Sequence, residues 1–332
     1  MHNRSMRCSI VATFSEADTF QAAMRAVGLL SLATTQKGRF RAKFSQVTPD
    51  RLRLIAVEES LPRIAYVKVP SDRILVAFTL DSLSRQCWNG MRAHAEHLIV
   101  LDSGASAHAR TDGPSRWSVI CLPKREFTRY AHALTGGLLK LPEGVSYWHT
   151  RSATLRELHA IHVEVIRSAR SATDMPSKSE GGHGLEQQLI HVLVDCLSEP
   201  TSRLPVEGDR AMTSFEELLL AEPNRTWSAS ELSRKLGMSD RLLRQSCQAC
   251  VGMSPLHFVR LQRLHSVHRA LRHPASSSTS VSDVVHQHGF HHLSRLAVDY
   301  QTLFGELPSH TLRRGRYGAV PPLKLSRNNT AP

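Results

Sequence analysis

Ser228-Ala-Ser-Glu231, followed by Gly237 and Ser239-Asp-Arg241, is answered further along the chain by Ser280-Val-Ser-Asp283, Gly289 and the stretch that opens at His291. In each copy the first Ser can cap a helix whose third residue returns a carboxylate to the cap, the reciprocal capping box. Gly237 and Gly289 stand where that helix must stop and the chain turn through a left-handed conformation. A second helix then begins, at Ser239 and near His291. The copies stay in step to Gly252-Met-Ser-Pro255 and Gly305-Glu-Leu-Pro308, with an offset of 52 residues before the turn and 53 after it. The second turn therefore carries one extra residue.

A capped helix, a Gly turn and a second amphipathic helix is the helix-turn-helix plan, in which the second helix lies in the DNA major groove. Between the copies, Leu256 to His273 predicts a longer helix. Phe258, Leu261, Leu264, His268 and Leu271 fall near one face, and Arg260, Arg263, Arg269 and Arg272 are available to the other. Such a helix would hold two reading heads about 34 Å apart, one turn of the duplex.

Helix geometry assigns the faces. Leu243 and Cys247 must turn inward with Leu232 and Leu236, which leaves Arg241, Arg244, Gln245 and Gln248 toward the groove. In the second head Leu296 and Tyr300 turn inward, leaving Leu293, Ser294, Arg295 and Val298 outward. Arg bridges the O6 and N7 of guanine, Gln pairs with adenine, and Leu or Val meets a thymine methyl. Ser239, His291, His292 and Thr311 are the candidates for helix caps or phosphate contacts.

This part of the chain resembles the AraC-type (AraC/XylS) transcription regulators. The resemblance rests on Ser239-x-Arg241-x-Leu243 running to Gly252-x-Ser254-Pro255, then Gly289-Phe290, Asp299-Tyr300, Leu303-Phe304-Gly305, and Pro308-Ser309 to Thr311-Leu312-Arg313-Arg314. It departs at Cys247, where the family usually places a buried Phe, and at Leu296, which replaces the usual Phe of the second reading helix. Both positions stay apolar, so they change packing volume and not the plan.

The chain has 332 residues, enough for two domains. Its formal charge of +13 and pI near 10.0 favour an anionic partner such as nucleic acid. From Ala211 onward fifteen Lys and Arg stand against eight Asp and Glu. No targeting signal is legible before Ser15-Glu16 and no run suits a membrane span, so a cytoplasmic protein with no membrane partner is expected. Six cysteines show no framework spacing and should stay reduced.

Toward the N-terminus one helix is predicted from Phe14 to about Arg25. Strands are predicted at Arg51–Leu54, Ile64–Val69, Arg73–Leu80, His97–Leu101 and Trp117–Leu122, and Asn89-Gly90 signals a hairpin turn. Short strands punctuated by Gly and Pro argue for a compact β-barrel or sandwich around a cavity. The resemblance points to a cupin-like effector-sensing barrel. Tyr66, Phe78, Trp88 and Trp117 are pocket candidates that are more simply core, and Arg39 and Arg41 are more simply a solvated edge. The effector-binding residues are not legible.

Helices follow at Thr154–Arg170 and Leu185–Leu197, with Ser171 to Gly184 between them as a mobile loop and Pro200 to Gly208 as a linker. The two helices form a dimer interface or cover the barrel. The expected fold is therefore α+β. An N-terminal cupin-like β-barrel sensing domain spans 1–150, a helical linker or dimerisation region 151–210, a C-terminal all-α tandem helix-turn-helix domain 211–316, and a disordered tail 317–332.

His94, His97 and His108 invite a metal reading, but histidines three apart in a strand point to opposite faces, so no metal or other cofactor is expected. Cys247-x-x-Cys250, with His257 and His265, has half the spacing of a zinc site or of a redox pair; a buried core pair is the simpler reading. No catalytic constellation is legible and no enzyme is expected. The reading is a sequence-specific DNA-binding transcription regulator with duplex DNA, RNA polymerase, a small-molecule effector and, where α3 and α4 form a dimer interface, a second copy as partners. Two other classes stay open: a constitutive DNA-binding protein whose barrel only dimerises, and a metal-dependent cupin enzyme fused to a DNA-binding tail.

Overall fold

The computed structural model describes residues 8–48, 52–81, 85–141, 143–171, 179–198, 200, 202–206, 210–276 and 278–317. Of the expected tail only Tyr317 is included, at the end of a helix; residues 318–332 lie outside the described set.

The N-terminal part runs β1 (Cys8–Phe14), α1 (Ala17–Met24), β2 (Leu29–Thr34), β3 (Ala42–Thr48), β4 (Arg53–Glu59), β5 (Arg63–Lys68) and β6 (Arg73–Thr79). It continues through β7 (Gln86–Trp88), β8 (Met91–Ala93), β9 (His97–Leu101), β10 (Ser106–Thr111) and β11 (Ser115–Pro123). Then come α2 (Lys124–Thr135), β12 (Val145–His149), α3 (Ser152–Ser171), α4 (Ser179–Ser198) and β13 (Ser202–Val206).

The strands form two antiparallel sheets. One has eight strands in the order β1-β3-β4-β11-β6-β9-β12-β13, and the other five in the order β2-β5-β10-β7-β8. Neither closes among the described residues, so the expected closed barrel is corrected to an open two-sheet packing. The inner faces share a core that includes Phe14, Phe20, Phe44, Trp117 and Tyr147. At the expected hairpin, Asn89 and Gly90 both take positive φ, at 47° and 84°, and join the paired residues Trp88 and Met91. Two positive φ values are what a type I′ turn needs to match strand twist.

Both outer faces are covered as well. Leu54, Val76, Phe78, Val100 and Ile120 of the larger sheet meet Phe127, Leu158, Ile161, Leu189 and Leu193 of α2, α3 and α4. The apolar stripes of α3 and α4 are thus spent within the chain. Part of the expected loop, Ser179 to Gly184, is helical, while residues 172–178 lie outside the described set. The expected linker after Pro200 is another correction, because Ser202–Val206 pairs with β12 as an edge strand. Pro205 is tolerated there because an edge strand need not offer every N–H.

The C-terminal part contains α5 (Arg210–Ala221), α6 (Ala229–Leu236), α7 (Asp240–Cys250), α8 (Pro255–Arg272), α9 (Val281–Gln287), α10 (Leu293–Phe304) and α11 (Pro308–Tyr317). It covers the outer face of the smaller sheet, where Ala33 of β2 and Ile64 of β5 join the core of Met212, Phe215 and Phe258. Polar contacts line the same contact surface. Ser31 Oγ donates to Glu216 Oε1 at 2.5 Å, Lys68 pairs with Glu217 at 2.8 Å, and Ser106 meets Thr213 at 3.0 Å. The ring of His265 on α8 lies 2.9 Å from the Thr34 carbonyl oxygen.

Burial pushes His265 down to about 4, against the opposing pull of that carbonyl. The ring therefore stays neutral in the fold at pH values where the unfolded chain, near 6.5, has taken up a proton. With the folded pKa lowered, stability is present above pH 6.5 and is lost as pH falls toward 4. A His265→Asn variant should be less stable at pH 7. It should nevertheless lose less than the wild type between pH 6.5 and 4.5, by on the order of 2 kcal/mol, as read from urea midpoints. Equal losses would show that His265 does not set this slope.

Candidate DNA interface and interior cavity

Both capping boxes form. Ser228 Oγ accepts from Glu231 N while the Glu231 carboxylate accepts from Ser228 N, and Ser280 and Asp283 do the same. Gly237 and Gly289 turn left-handed at φ 64° and 72°. The extra residue of the second turn lies between Gly289 and His292, which caps α10 without a side-chain bond.

The inward residues are as expected. Leu232, Leu243 and Cys247 are buried with Met212 and Phe215, and Leu236 packs against them. Leu296 and Tyr300 are buried in the second head with Phe290 and Leu312. Arg241, Arg244, Gln245 and Gln248 on α7 are exposed, and so are Leu293, Ser294, Arg295 and Val298 on α10. Arg244 pairs with Asp240 at 2.8 Å one turn back, an exposed contact that DNA can displace at little cost. Ser239 caps α7 by accepting from Leu242 N, and His291 and His292 are exposed beside α10.

Thr311 requires a correction. It is fully buried, accepts from the Tyr300 hydroxyl at 2.8 Å and donates to Glu306 at 2.6 Å, so it braces the second head and does not face phosphate. Of the four arginines expected on an outward face of α8, Arg269 is exposed and the other three are not free. Arg263 is buried and donates from Nε and Nη2 to the His288 carbonyl at 2.9 and 2.7 Å, with its guanidinium 4.4 Å from the Phe290 ring. Arg260 pairs with Asp299 on α10, and Arg272 with Glu16. These cations tie α8 to the second head and to the N-terminal part.

The metal candidates do not converge. His94 and His97 are not on opposite strand faces, because a turn brings them together: His94 N donates to His97 Nδ1 at 3.1 Å. His108 is elsewhere, buried on β10 with its ring 4.9 Å from that of Tyr66. Cys247 and Cys250 are buried in the first head; His265 is engaged with Thr34, and His257 is exposed. Among the described residues no group of three His, Cys, Asp or Glu is placed to hold a metal ion. No helix among them is long and apolar enough to cross a membrane.

Between the two sheets lies a cavity of about 30 Å³, walled by Phe20, Met24, Leu32, Trp88, Trp117 and Val119 together with Glu59 and Arg63. Two of the four aromatic pocket candidates are therefore there. Tyr66 and Phe78 face outward, against His108 and His159. Arg39 and Arg41 are exposed. Glu59 and Arg63 form a buried pair at 3.0 Å that sequence patterning did not single out. Glu59 ends an apolar strand beside exposed Glu58, and nothing local marks which of the two turns inward.

Two capped helix pairs with exposed second helices, fixed on a shared connecting helix, define a tandem helix-turn-helix DNA-binding protein carrying a sheet-rich N-terminal part. A family model described as a helix-turn-helix domain matches residues 232–314. The chain is 32% identical over 121 residues to the XylDLEGF operon transcriptional activator 2 of Pseudomonas putida, covering 36% of this chain and 77% of that protein. It is 28% identical over 196 residues to activator 3 of the same organism, covering 53% of this chain and 58% of that protein. Against the other activators of this group the match spans about half of their length. Among solved structures, the AraC-like transcriptional activator CuxR aligns over 80% of this chain and 96% of its own, at 13% identity and a TM-score of 0.44. The chain belongs to the AraC/XylS family of transcription regulators.

The two turn glycines separate backbone strain from crowding. A Cβ at Gly237 would meet nothing within 4 Å, whereas at Gly289 it would lie 2.6 Å from Arg263 Nη2 and 2.9 Å from the Asn224 carbonyl oxygen. Gly237→Ala should cost about 1 kcal/mol, the left-handed penalty alone. Gly289→Ala should cost about 3 kcal/mol because it also displaces the Arg263 clamp. Equal shifts in denaturant midpoint would show that the clamp yields freely.

Proposed function

We propose that this regulator reads one face of a DNA duplex with α7 and α10, and that a small molecule in its N-terminal part controls that reading. The observation that carries the first half is the pair of exposed second helices held by α8. In this reading Arg241, Arg244, Gln245 and Gln248 contact base edges. Leu293, Ser294, Arg295 and Val298 present a more apolar surface suited to thymine methyls. Ser239, His291 and His292 lie beside the groove face as phosphate contacts. The helical segment from 211 to 316 is the DNA-binding domain, and the cupin-like two-sheet unit before it is the sensor. The protein acts in the cytoplasm, where promoter occupancy or contact with RNA polymerase is the output. Since the stripes of α3 and α4 are occupied within the chain, a homodimer would use other surfaces.

The second half is supported by the way the two parts meet. Along β10, Ala107 and Ala109 face the inner core, while Ser106 and His108 approach Thr213 and Glu216 of α5. A ligand that displaces β10 from within changes the surface on which the DNA-binding helices rest. It controls DNA binding only if it binds the docked and undocked arrangements unequally.

Selection of duplexes from a random pool, at a stated salt concentration, tests the first half. Two enriched motifs with centres about 10.5 base pairs apart are expected. Salt-sensitive binding with no enriched motif would reject sequence-specific reading. On the selected site, Arg244→Ala should weaken binding by about 1–3 kcal/mol and leave random-sequence binding nearly unchanged. Equal loss on both would make Arg244 a phosphate contact.

A further inference from the structure

We propose that the cavity between the sheets takes a neutral apolar molecule bearing one hydroxyl, a phenol or a comparable alcohol. This rests on the effector reading above and adds the ligand's chemistry to it. The wall is apolar apart from Glu59 and Arg63; Arg63 donates to the carbonyl of Ala109, the residue paired with Trp88, and the hydrogen bonds of Glu59 and Trp88 are incomplete. Glu59 Oε2 accepts from Arg63 Nε at 3.0 Å, Trp117 Nε1 at 3.0 Å and Ser115 Oγ at 3.3 Å. Glu59 Oε1 has no partner within the protein, and neither has the indole N–H of Trp88, another wall residue. Both side chains are almost wholly buried.

One of these atoms needs a donor and the other is a donor. A hydroxyl both gives and accepts a hydrogen bond, so a ligand carrying one matches either atom, where a pure donor or a pure acceptor matches only one. The charge balance selects against ionised ligands. Arg63 already neutralises Glu59, and its Nη1 is committed to the Ala109 carbonyl at 2.8 Å. A carboxylate would put a second negative charge beside Glu59, and an ammonium would leave a surplus positive charge; either is costly out of water. A plain hydrocarbon suits the wall but leaves both polar atoms unpaired. The cavity of about 30 Å³ is smaller than one aromatic ring, so binding must open it. Met24, an unbranched wall residue on α1, is the side chain most able to repack.

Titrating the full chain by calorimetry and thermal shift with phenol, toluene, benzoate and benzylamine tests the assignment. Phenol should bind about tenfold or more tighter than toluene, with benzoate and benzylamine weaker still. Trp88→Phe, which keeps an aromatic ring, removes the N–H and enlarges the cavity for every probe alike, should lower the ratio of phenol to toluene affinity severalfold. Because Glu59 also holds Arg63 and Trp117, Glu59→Gln is the riskier variant for folding, and Trp88→Phe decides. Benzoate binding tighter than phenol, or a phenol-to-toluene ratio unchanged by Trp88→Phe, would overturn the hydroxyl assignment while leaving an effector site in place. Failure of all four probes to bind would overturn the assignment together with the cavity as an effector site.

Discussion

The helix α8 has to satisfy three neighbours at once, and the C-terminal half of the molecule depends on its doing so. Phe258, Val259 and Leu261 pack into the first head, Leu264, Val267 and Leu271 into the second, and His265 reaches β2. A helix apolar on several sides is a buried helix. Three of its four arginines are spent within the fold, Arg263 on the His288 carbonyl and the Phe290 ring, Arg260 on Asp299 and Arg272 on Glu16, while Arg269 is exposed. The spacing between α7 and α10, on which the proposed reading of two grooves rests, follows from this one rigid element.

That use of arginine limits what net charge can say. A surplus of positive charge attracts DNA, but Arg260, Arg263 and Arg272 of α8 and Arg63 are held by carboxylates, carbonyls and rings of the fold. The exposed cations of α7 and α10 are fewer: Arg241, Arg244 and Arg295. Composition alone does not separate these two populations; helical phase separates them for α7 and α10, where only one face can be buried.

The tandem heads were legible because their signals are local. A capping box, a left-handed Gly and a Pro after a Ser cap act within four residues, and all of them formed at the expected positions. The Asn89-Gly90 hairpin was legible for the same reason. The sheets were not, because strand order is decided by partners far away in the chain: β1 pairs with β3 and β2 with β5, and the segment after Pro200 became a strand only because β12 offered a free edge. His94 and His97 were misread by assuming a continuous strand where a turn intervenes. Thr311 was misplaced because a hydroxyl near a helix start looks the same in sequence whether it caps, touches phosphate or braces a buried Tyr.

The same long-range pairing creates the route between the two halves. Ser31 and His108 lie on the same outer face of the smaller sheet, each paired with Tyr66 of β5, and both approach the buried carboxylate of Glu216 on α5, with Gln262 of α8 donating to it at 3.3 Å. His108 Nε2 and Glu216 Oε2 stand 3.7 Å apart, beyond a good hydrogen bond, and neither atom has another partner in the protein. A buried carboxylate left partly unsatisfied is costly, and its cost changes steeply with small displacements of its donors. Strand residues alternate between faces, so a shift of β10 or β2 driven from the inner core must move His108 or Ser31 on the outer one. The contact between the smaller sheet and the C-terminal helices is thus built around a buried carboxylate whose energy responds to where the strands sit.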